Sequence, residues 1–371
     1  MIYFDNASTT KILPEVLDEM LPFFLGEFGN PSSKYYPYAT IAKNTIDDSR
    51  QNISKILKCK VDELIFTSGA TESNNLIIKG ILEQYCSGTI ITSSLEHSSV
   101  IEILKYYESK FNILHADLNL DGSINQESFY KLFLENKNVI LTTINFVNSD
   151  TGIVQDIESL SQIAHNFSSL FHSDITQAVG KISFDFNKYN NVDFISFSSH
   201  KFHGPKGIGG AVIRKDVNGL KRKLIPLHHG GDQEFGFRAG TLNTPGIVGM
   251  MKAFKIAYLN IVKNNKSVKT LTDRLIKLSE SKKSISILNL NHKTLPGYIS
   301  LRVKGVNNEL FLKKISESFS ASTGSACSNN KPSDSLIALG YDLDEIRETI
   351  RISLSHLNTI EEVDAFMNLF A

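Results

Sequence analysis

The chain has 371 residues, of which 41% are hydrophobic and 21% charged, and its 39 basic and 39 acidic side chains give a formal net charge of zero. At about 150 residues per domain this is room for two to three domains with cores of their own, and the composition is not that of a disordered chain. Balanced charge offers no polyanion-binding surface, and no apolar stretch approaches the ~20 residues of a membrane span, so neither nucleic acid nor membrane is expected as a partner.

Runs rich in β-branched and aromatic residues at 63–67, 89–92, 139–146, 170–173, 194–198 and 210–214 predict strands. Between them, 73–83, 98–109 and 157–166 carry apolar residues at helical spacing, and this alternation predicts an α/β domain with a mostly parallel sheet wrapped by helices. From 247 to 281 apolar residues step by three and four, as in helices that leave the first domain, so a boundary belongs near there. Beyond it, 284–290, 297–303 and 349–354 predict strands, with helices at 308–318 and near the C-terminus, which makes a smaller α+β domain. The chain begins Met1-Ile2-Tyr3-Phe4-Asp5, without a basic and apolar leader, and a cytoplasmic address is expected. Three separated cysteines with no C-x-x-C pair give neither a disulfide framework nor a metal site; Cys59 and Cys86 are expected to be buried and inert, which leaves Cys327 to be explained.

The segment 194–210 places Lys201 just past a strand end, between His200 and a glycine-rich turn. A solvated lysine in a surface turn is one reading. The other is a Schiff base between Lys201 and pyridoxal phosphate, with Ser198 and His200 donating to the phosphate. That cofactor needs a buried carboxylate to keep its ring nitrogen protonated and backbone N–H groups to cradle its phosphate. Asp174, at the end of a predicted strand, meets the first need unless it caps a helix, and Gln177 three residues on is placed to donate to the ring hydroxyl oxygen. Gly69, Ala70 and Thr71 run from a strand into a helix and form either the cradle or an ordinary cap, with the Thr71 hydroxyl as one more donor. His97, after another strand, lies on the ring and moves protons, or is structural. Asn148 donates to the ring hydroxyl beside Gln177, or organises a turn.

In chain order, Asp5-Asn-Ala-Ser-Thr-Thr10, Gly29-Asn-Pro-Ser-Ser33, Ser68-Gly-Ala-Thr-Glu-Ser-Asn-Asn75, Glu96-His97, the Asp174/Gln177 pair, His200-Lys201 and Arg238-Ala-Gly-Thr-Leu-Asn243 resemble the cysteine desulfurases, a class V aminotransferase-like family of pyridoxal-phosphate fold type I. The resemblance covers nearly the whole chain. It implies a large cofactor-binding domain over 14–255 with a mostly parallel seven-stranded sheet flanked by helices, and a smaller α+β domain of 1–13 and 256–371 that carries a catalytic cysteine. It also implies pyridoxal 5'-phosphate on Lys201, and a homodimer in which Thr241 reaches the cofactor phosphate of the partner subunit.

Within the small polar stretch 320–330, the resemblance places Cys327 as the sulfur-accepting nucleophile; by itself it reads as an incidental loop thiol. Arg351 interrupts an apolar strand with a planar fork that suits a substrate α-carboxylate, a role the resemblance also assigns, the alternative being a partly buried salt bridge; Asn30 is a second carboxylate donor. The implied reaction takes sulfur from L-cysteine, leaves L-alanine and a persulfide on Cys327, and passes the sulfur to an acceptor such as an iron–sulfur scaffold or a tRNA-thiolation enzyme. The sequence departs from the family pattern at Tyr35, where histidine is usual, and at Asn148-Ser-Asp-Thr-Gly152, where Asn-Asn-Glu is commoner. The stretch from Cys327 to Pro332 is also about two residues shorter than in long-loop members. Rival activities on the scaffold are selenocysteine lysis and transamination, and a further rival is a scaffold protein without activity.

Overall fold

Short apolar strands joined by helices build one large sheet and one small one. The computed structural model describes residues 1–324 and 332–370. Its strands are β1 (Ile2–Tyr3), β2 (Leu64–Thr67), β3 (Thr89–Ser93), β4 (Asn112–Ala116), β5 (Val139–Thr143), β6 (Leu170–Asp174), β7 (Phe194–Ser198), β8 (Gly209–Ile213), β9 (Ile285–Ile287), β10 (Tyr298–Val303), β11 (Phe319–Ser320) and β12 (Thr349–Ser353). Seven of them form the large sheet in the order β2-β8-β7-β6-β5-β3-β4. Only β8 runs against the others, paired antiparallel with β2 and β7. The remaining pairs are parallel.

β2, β3, β5, β7 and β8 are buried along their whole length. Successive side chains point to opposite faces, so Phe66, Phe171 and Ile195 enter one core while Ile65, Leu141 and Phe194 enter the other. Helices on both faces supply the rest of each core, which is why these strands read as continuous apolar runs. β4 and the helix Gln126–Glu135 lie outside the predicted elements. β4 is the edge strand, with only Ala116 buried, and a half-wet edge has no need of an apolar run. The stretch predicted at 247–281 divides into the helices Thr244–Leu259 and Ile261–Glu280 at Asn260, whose side chain turns back to donate to Ile256 O at 2.9 Å. No helix among the described residues is long and apolar enough to cross a membrane.

The smaller unit is the antiparallel sheet β12-β10-β9 covered by helices, around a core that includes Leu275, Leu301, Ile350 and Phe366. The N-terminus belongs to it: β1 pairs with β11, Phe4 joins the core, and Asp5 bridges Ser353. From there residues 5–10 cross to the large sheet, where Thr10 N donates to His200 O at 2.8 Å. The turn after β5 is clamped from the other side, Leu295 N donating to Gly152 O at 2.9 Å and Asn289 Nδ2 to Thr151 O at 3.0 Å. These ties bring the middle of β12, and with it Arg351, to the carboxyl ends of the large sheet.

Candidate active site

In a parallel sheet the carboxyl ends of the strands form the natural ligand crevice. Here the ends of β2, β3, β5, β6 and β7 lead into Ala70, His97, Asn148, Asp174 and Lys201 in turn. A cleft of about 320 Å³ opens at this edge, and Ser8, His97, Ser149, Asp150, Lys201 and Arg351 are among its walls. The sequence reading of Lys201 as a solvated surface group does not hold: its Nζ donates to Ala7 O at 2.7 Å and Ser8 O at 2.6 Å. Gln177 Nε2 donates to the same Ala7 carbonyl at 2.9 Å, which keeps these two side chains close, and its Oε1 accepts from Tyr298 OH at 2.5 Å.

Asp174 is 6% exposed. Its oxygens accept from Asn74 Nδ2 and Thr176 N, each at 2.9 Å, so among the described residues it is held by neutral donors alone. A buried carboxylate held only by neutral donors suits a cationic ligand group as its partner. Asn74 is fixed in turn by Ser196, whose hydroxyl donates to its Oδ1. Below lies His172, between Thr143 Oγ1 and Ser196 Oγ; burial lowers its pKa to about 4, so it stays neutral and supplies no counter-charge.

The helix Ala70–Leu82 points its N-terminus at Ser198, Ala70 N donating to Ser198 Oγ at 2.7 Å, while Thr71 sits exposed in the first turn. Gly209 makes room here, since a Cβ on it would stand 2.6 Å from Gly69 Cα. An anion at this point would meet helix N–H groups and the positive end of the dipole. His200 faces Thr9, with Nδ1 3.1 Å from Thr9 Oγ1, and burial beside Lys201 and Lys206 lowers its pKa to about 4. His97 caps the helix Ser98–Tyr107, its Nδ1 accepting from Ser99 N at 3.1 Å, which leaves Nε2 to carry the proton of the neutral ring.

Two residues stand apart from these expectations. Asn148 has its amide committed to the turn: Nδ2 donates to Leu95 O at 2.8 Å and Ser335 Oγ at 3.0 Å, while Oδ1 accepts from Asp150 N and Thr151 N. Its carbonyl oxygen thus organises the 148–151 turn. Asn30 is exposed, accepts from Ser32 N within its own turn, and does not line the cleft with Arg351. Thr241 is likewise exposed and lines a separate groove with His228 and Arg238. Its loop is tied to the cradle, because Glu72 accepts from both Arg238 Nε and Ser68 N, and the buried Arg50–Glu234 pair anchors it further. Cys327 lies outside the described residues. Cys59 is partly buried, which pushes its pKa to about 12. Cys86 corrects an expectation: it is exposed in the turn after the helix Ala70–Leu82, where the chain has left the core.

Several site residues went unassigned in the sequence. Lys181 donates to Gln177 O and Oε1 at 3.1 and 3.2 Å, and burial beside Lys201 lowers its pKa to about 7. Glu96 accepts from Ser93 Oγ at 2.6 Å and Asn145 N at 2.9 Å, and its Oε2 has no partner among the described residues. Burial raises its pKa to about 8, so it is mostly protonated at neutral pH. The folded state then holds a proton that the unfolded chain gives up near the ordinary glutamate value of 4.5, and stability falls as pH rises from there through about 8. Glu96→Gln, which is neutral at every pH, is expected to flatten this decline by a few kcal/mol at most, as read from unfolding midpoints compared at acid and at alkaline pH. An unchanged profile would mean that Glu96 ionises normally.

The comparisons agree with this geometry. The aminotransferase class-V family matches residues 2–366. The cysteine desulfurase IscS of Rickettsia massiliae (strain Mtu5) is 36% identical over 376 aligned positions, covering 99% of this chain and 90% of that protein. Among solved structures, a NifS-like protein superposes with a TM-score of 0.91 at 34% identity, covering 100% of this chain and 98% of that one. SspA in complex with cysteine superposes at 0.83 and 33% identity, covering 97% and 100%. With Lys201, Asp174 and the helix cradle in place at the carboxyl edge of such a sheet, the chain belongs to the class-V aminotransferases and, within them, to the pyridoxal-phosphate-dependent cysteine desulfurases.

Proposed function

We propose that this chain removes sulfur from L-cysteine, releasing L-alanine, and carries the sulfur as a persulfide on Cys327 to an acceptor protein. The observation that carries the reading is that one cleft holds both Lys201 and the guanidinium of Arg351, an amine for the cofactor and a fork for an amino acid's carboxylate. Arg351 Nε is buried and has no partner among the described residues, which leaves a donor to offer.

The residues present fit pyridoxal 5'-phosphate. Asp174 would face its cationic ring nitrogen, Ala70, Thr71 and Ser198 its phosphate, with His200 and Gln177 alongside and Lys201 its aldehyde carbon. When bound, it supplies an electron sink for the substrate's α-carbon. Lys201, released from two backbone carbonyls, moves the α-proton, and His97 presents Nε2–H over the same cleft. Cys327 attacks the substrate sulfur; the carbon–sulfur bond breaks, a sulfur–sulfur bond forms, and the β-carbon takes a proton to become the methyl group of alanine.

Two features support a homodimer. Leu21, Phe24, Leu25, Phe28 and Tyr35 leave a broad apolar face near the N-terminus, and the clamped loop presents Thr241 outward. A nucleophilic free thiol is at home in a reducing compartment, which supports a cytoplasmic setting. We place the large domain at 14–255 and the small one at 1–13 and 256–371. The acceptor is an iron–sulfur scaffold or a thiolation enzyme.

The test is intact-mass analysis after incubation of the cofactor-loaded protein with L-cysteine. One added sulfur is expected on Cys327, with alanine released. Cys327→Ala is expected to gain no sulfur and to stop forming alanine. Alanine formation at the parental rate in that variant would remove the thiol from the reaction and favour a lyase or aminotransferase.

A further inference from the structure

Arg351 is already engaged before any ligand arrives. Its Nη2 donates to Asp5 Oδ1 at 2.8 Å and Ser8 Oγ at 2.6 Å, and its Nη1 to Ser149 O at 3.0 Å, Gly324 O at 3.2 Å and Asp150 Oδ1 at 3.3 Å. The arginine side chain is 4% exposed, that of Asp5 18% and that of Asp150 17%.

The two carboxylates are held unequally. Asp5 makes a bond of charge-assisted length, accepts a second from Ser8 Oγ at 2.9 Å, and is fixed by its bridge to Ser353, two residues from Arg351 on the same strand. Asp150 stands beyond the ~2.7–2.9 Å of a charge-assisted bond. Its other oxygen has a partner of its own, accepting from Ser333 Oγ at 2.9 Å, so it loses little support on letting the arginine go. It also sits in a tight turn beside the cleft, where an entering ligand passes it.

We propose that Asp150 is a resident stand-in for the substrate: its carboxylate occupies Arg351 and gives way to the α-carboxylate of the incoming amino acid. This rests on the reading of Arg351 as the holder of that carboxylate. Exchange of one carboxylate for another selects against amines that lack one, because such a ligand leaves the Asp150–Arg351 contact unbroken and finds no open fork.

The exchange also moves a proton. Burial raises the Asp150 pKa above the ordinary carboxylate value, opposed by the charge of Arg351, by the hydroxyls of Ser333 and Ser335 and, in its protonated form, by His97. Once a ligand takes Arg351 away, the largest opposing charge is gone and the freed carboxyl picks up a proton from solvent. Lys201, Glu96, Glu102 and Asp334 are the other titratable groups facing this cleft. Binding that takes up a proton weakens as pH rises.

The experiment is calorimetric titration of the cofactor-loaded protein with propionate, which has the carboxylate but neither amine nor thiol. It is run in two buffers of different ionisation heat, between about pH 6 and 8. The parent protein is expected to take up part of a proton per propionate and to bind it more weakly at the upper pH. Asp150→Asn is expected to bind about tenfold more tightly and to take up none, while Asp150→Glu, which restores an anion, regains the uptake. Equal uptake in the Asn variant, or weaker binding by it, overturns the exchange. Arg351→Gln separates the two layers of argument: propionate bound undiminished by that variant defeats the role of Arg351 itself, whereas lost binding there with an unaltered Asp150→Asn defeats the stand-in alone.

Discussion

Asp174→Asn is expected to weaken pyridoxal phosphate binding by about 10²–10⁴-fold, since removing one partner of a buried charge pair costs about 3–5 kcal/mol. The carboxylate rests on Asn74 and Thr176 N and meets no cation among the described residues. Those neutral donors are joined by a cation only when a pyridinium arrives. The variant should therefore be at least as stable as the parent when both are stripped of cofactor, and less stable than the parent when both are saturated. Cofactor titration followed by absorbance, with unfolding midpoints of stripped and loaded forms, checks both halves. Unchanged affinity would show that the ring nitrogen is not held by this acid.

Lys201→Ala should lower alanine formation by roughly 10²–10⁴-fold, the range attached to a positioned proton-transfer group. The amine is held by two carbonyls of the 5–10 segment, so it is preorganised at the meeting of the two sheets. On the proposed reading, its loss removes a covalent anchor as well as a proton carrier. Borohydride reduction followed by denaturing mass spectrometry should fix cofactor to the parent chain and none to the variant. If the variant retained covalently fixed cofactor, another lysine would be the anchor, and Lys181, the buried amine beside Gln177, would be the first to examine.

Much of the candidate site was legible because its residues follow strand ends. An apolar run that stops at a polar residue marks both the end of a strand and the edge of the sheet, and Asp174, His97 and Lys201 are each found that way. Asn148 shows the limit of that signal. It too follows a strand, yet its Nδ2 bonds to Leu95 and Ser335, distant positions that no local spacing discloses. Asn74 lay inside the cradle motif, but nothing in its spacing says that its amide reaches 100 residues along the chain to Asp174. Asn30 illustrates the reverse case, a motif residue that caps its own turn and does not line the cleft.

The sequence by itself determined the α/β class, the carboxyl edge as the place of chemistry, and the residue types that stand there, because periodicity and strand ends are local properties of the chain. Which strand lies next to which, with β8 reversed between β2 and β7, was decided by tertiary packing. So was the setting of Arg351 between Asp5 and Asp150, which comes from positions 346 and 201 residues away and depends on the N-terminal segment crossing from one sheet to the other. Charge and burial at such a point are sums over distant neighbours, and no local pattern of residues records them.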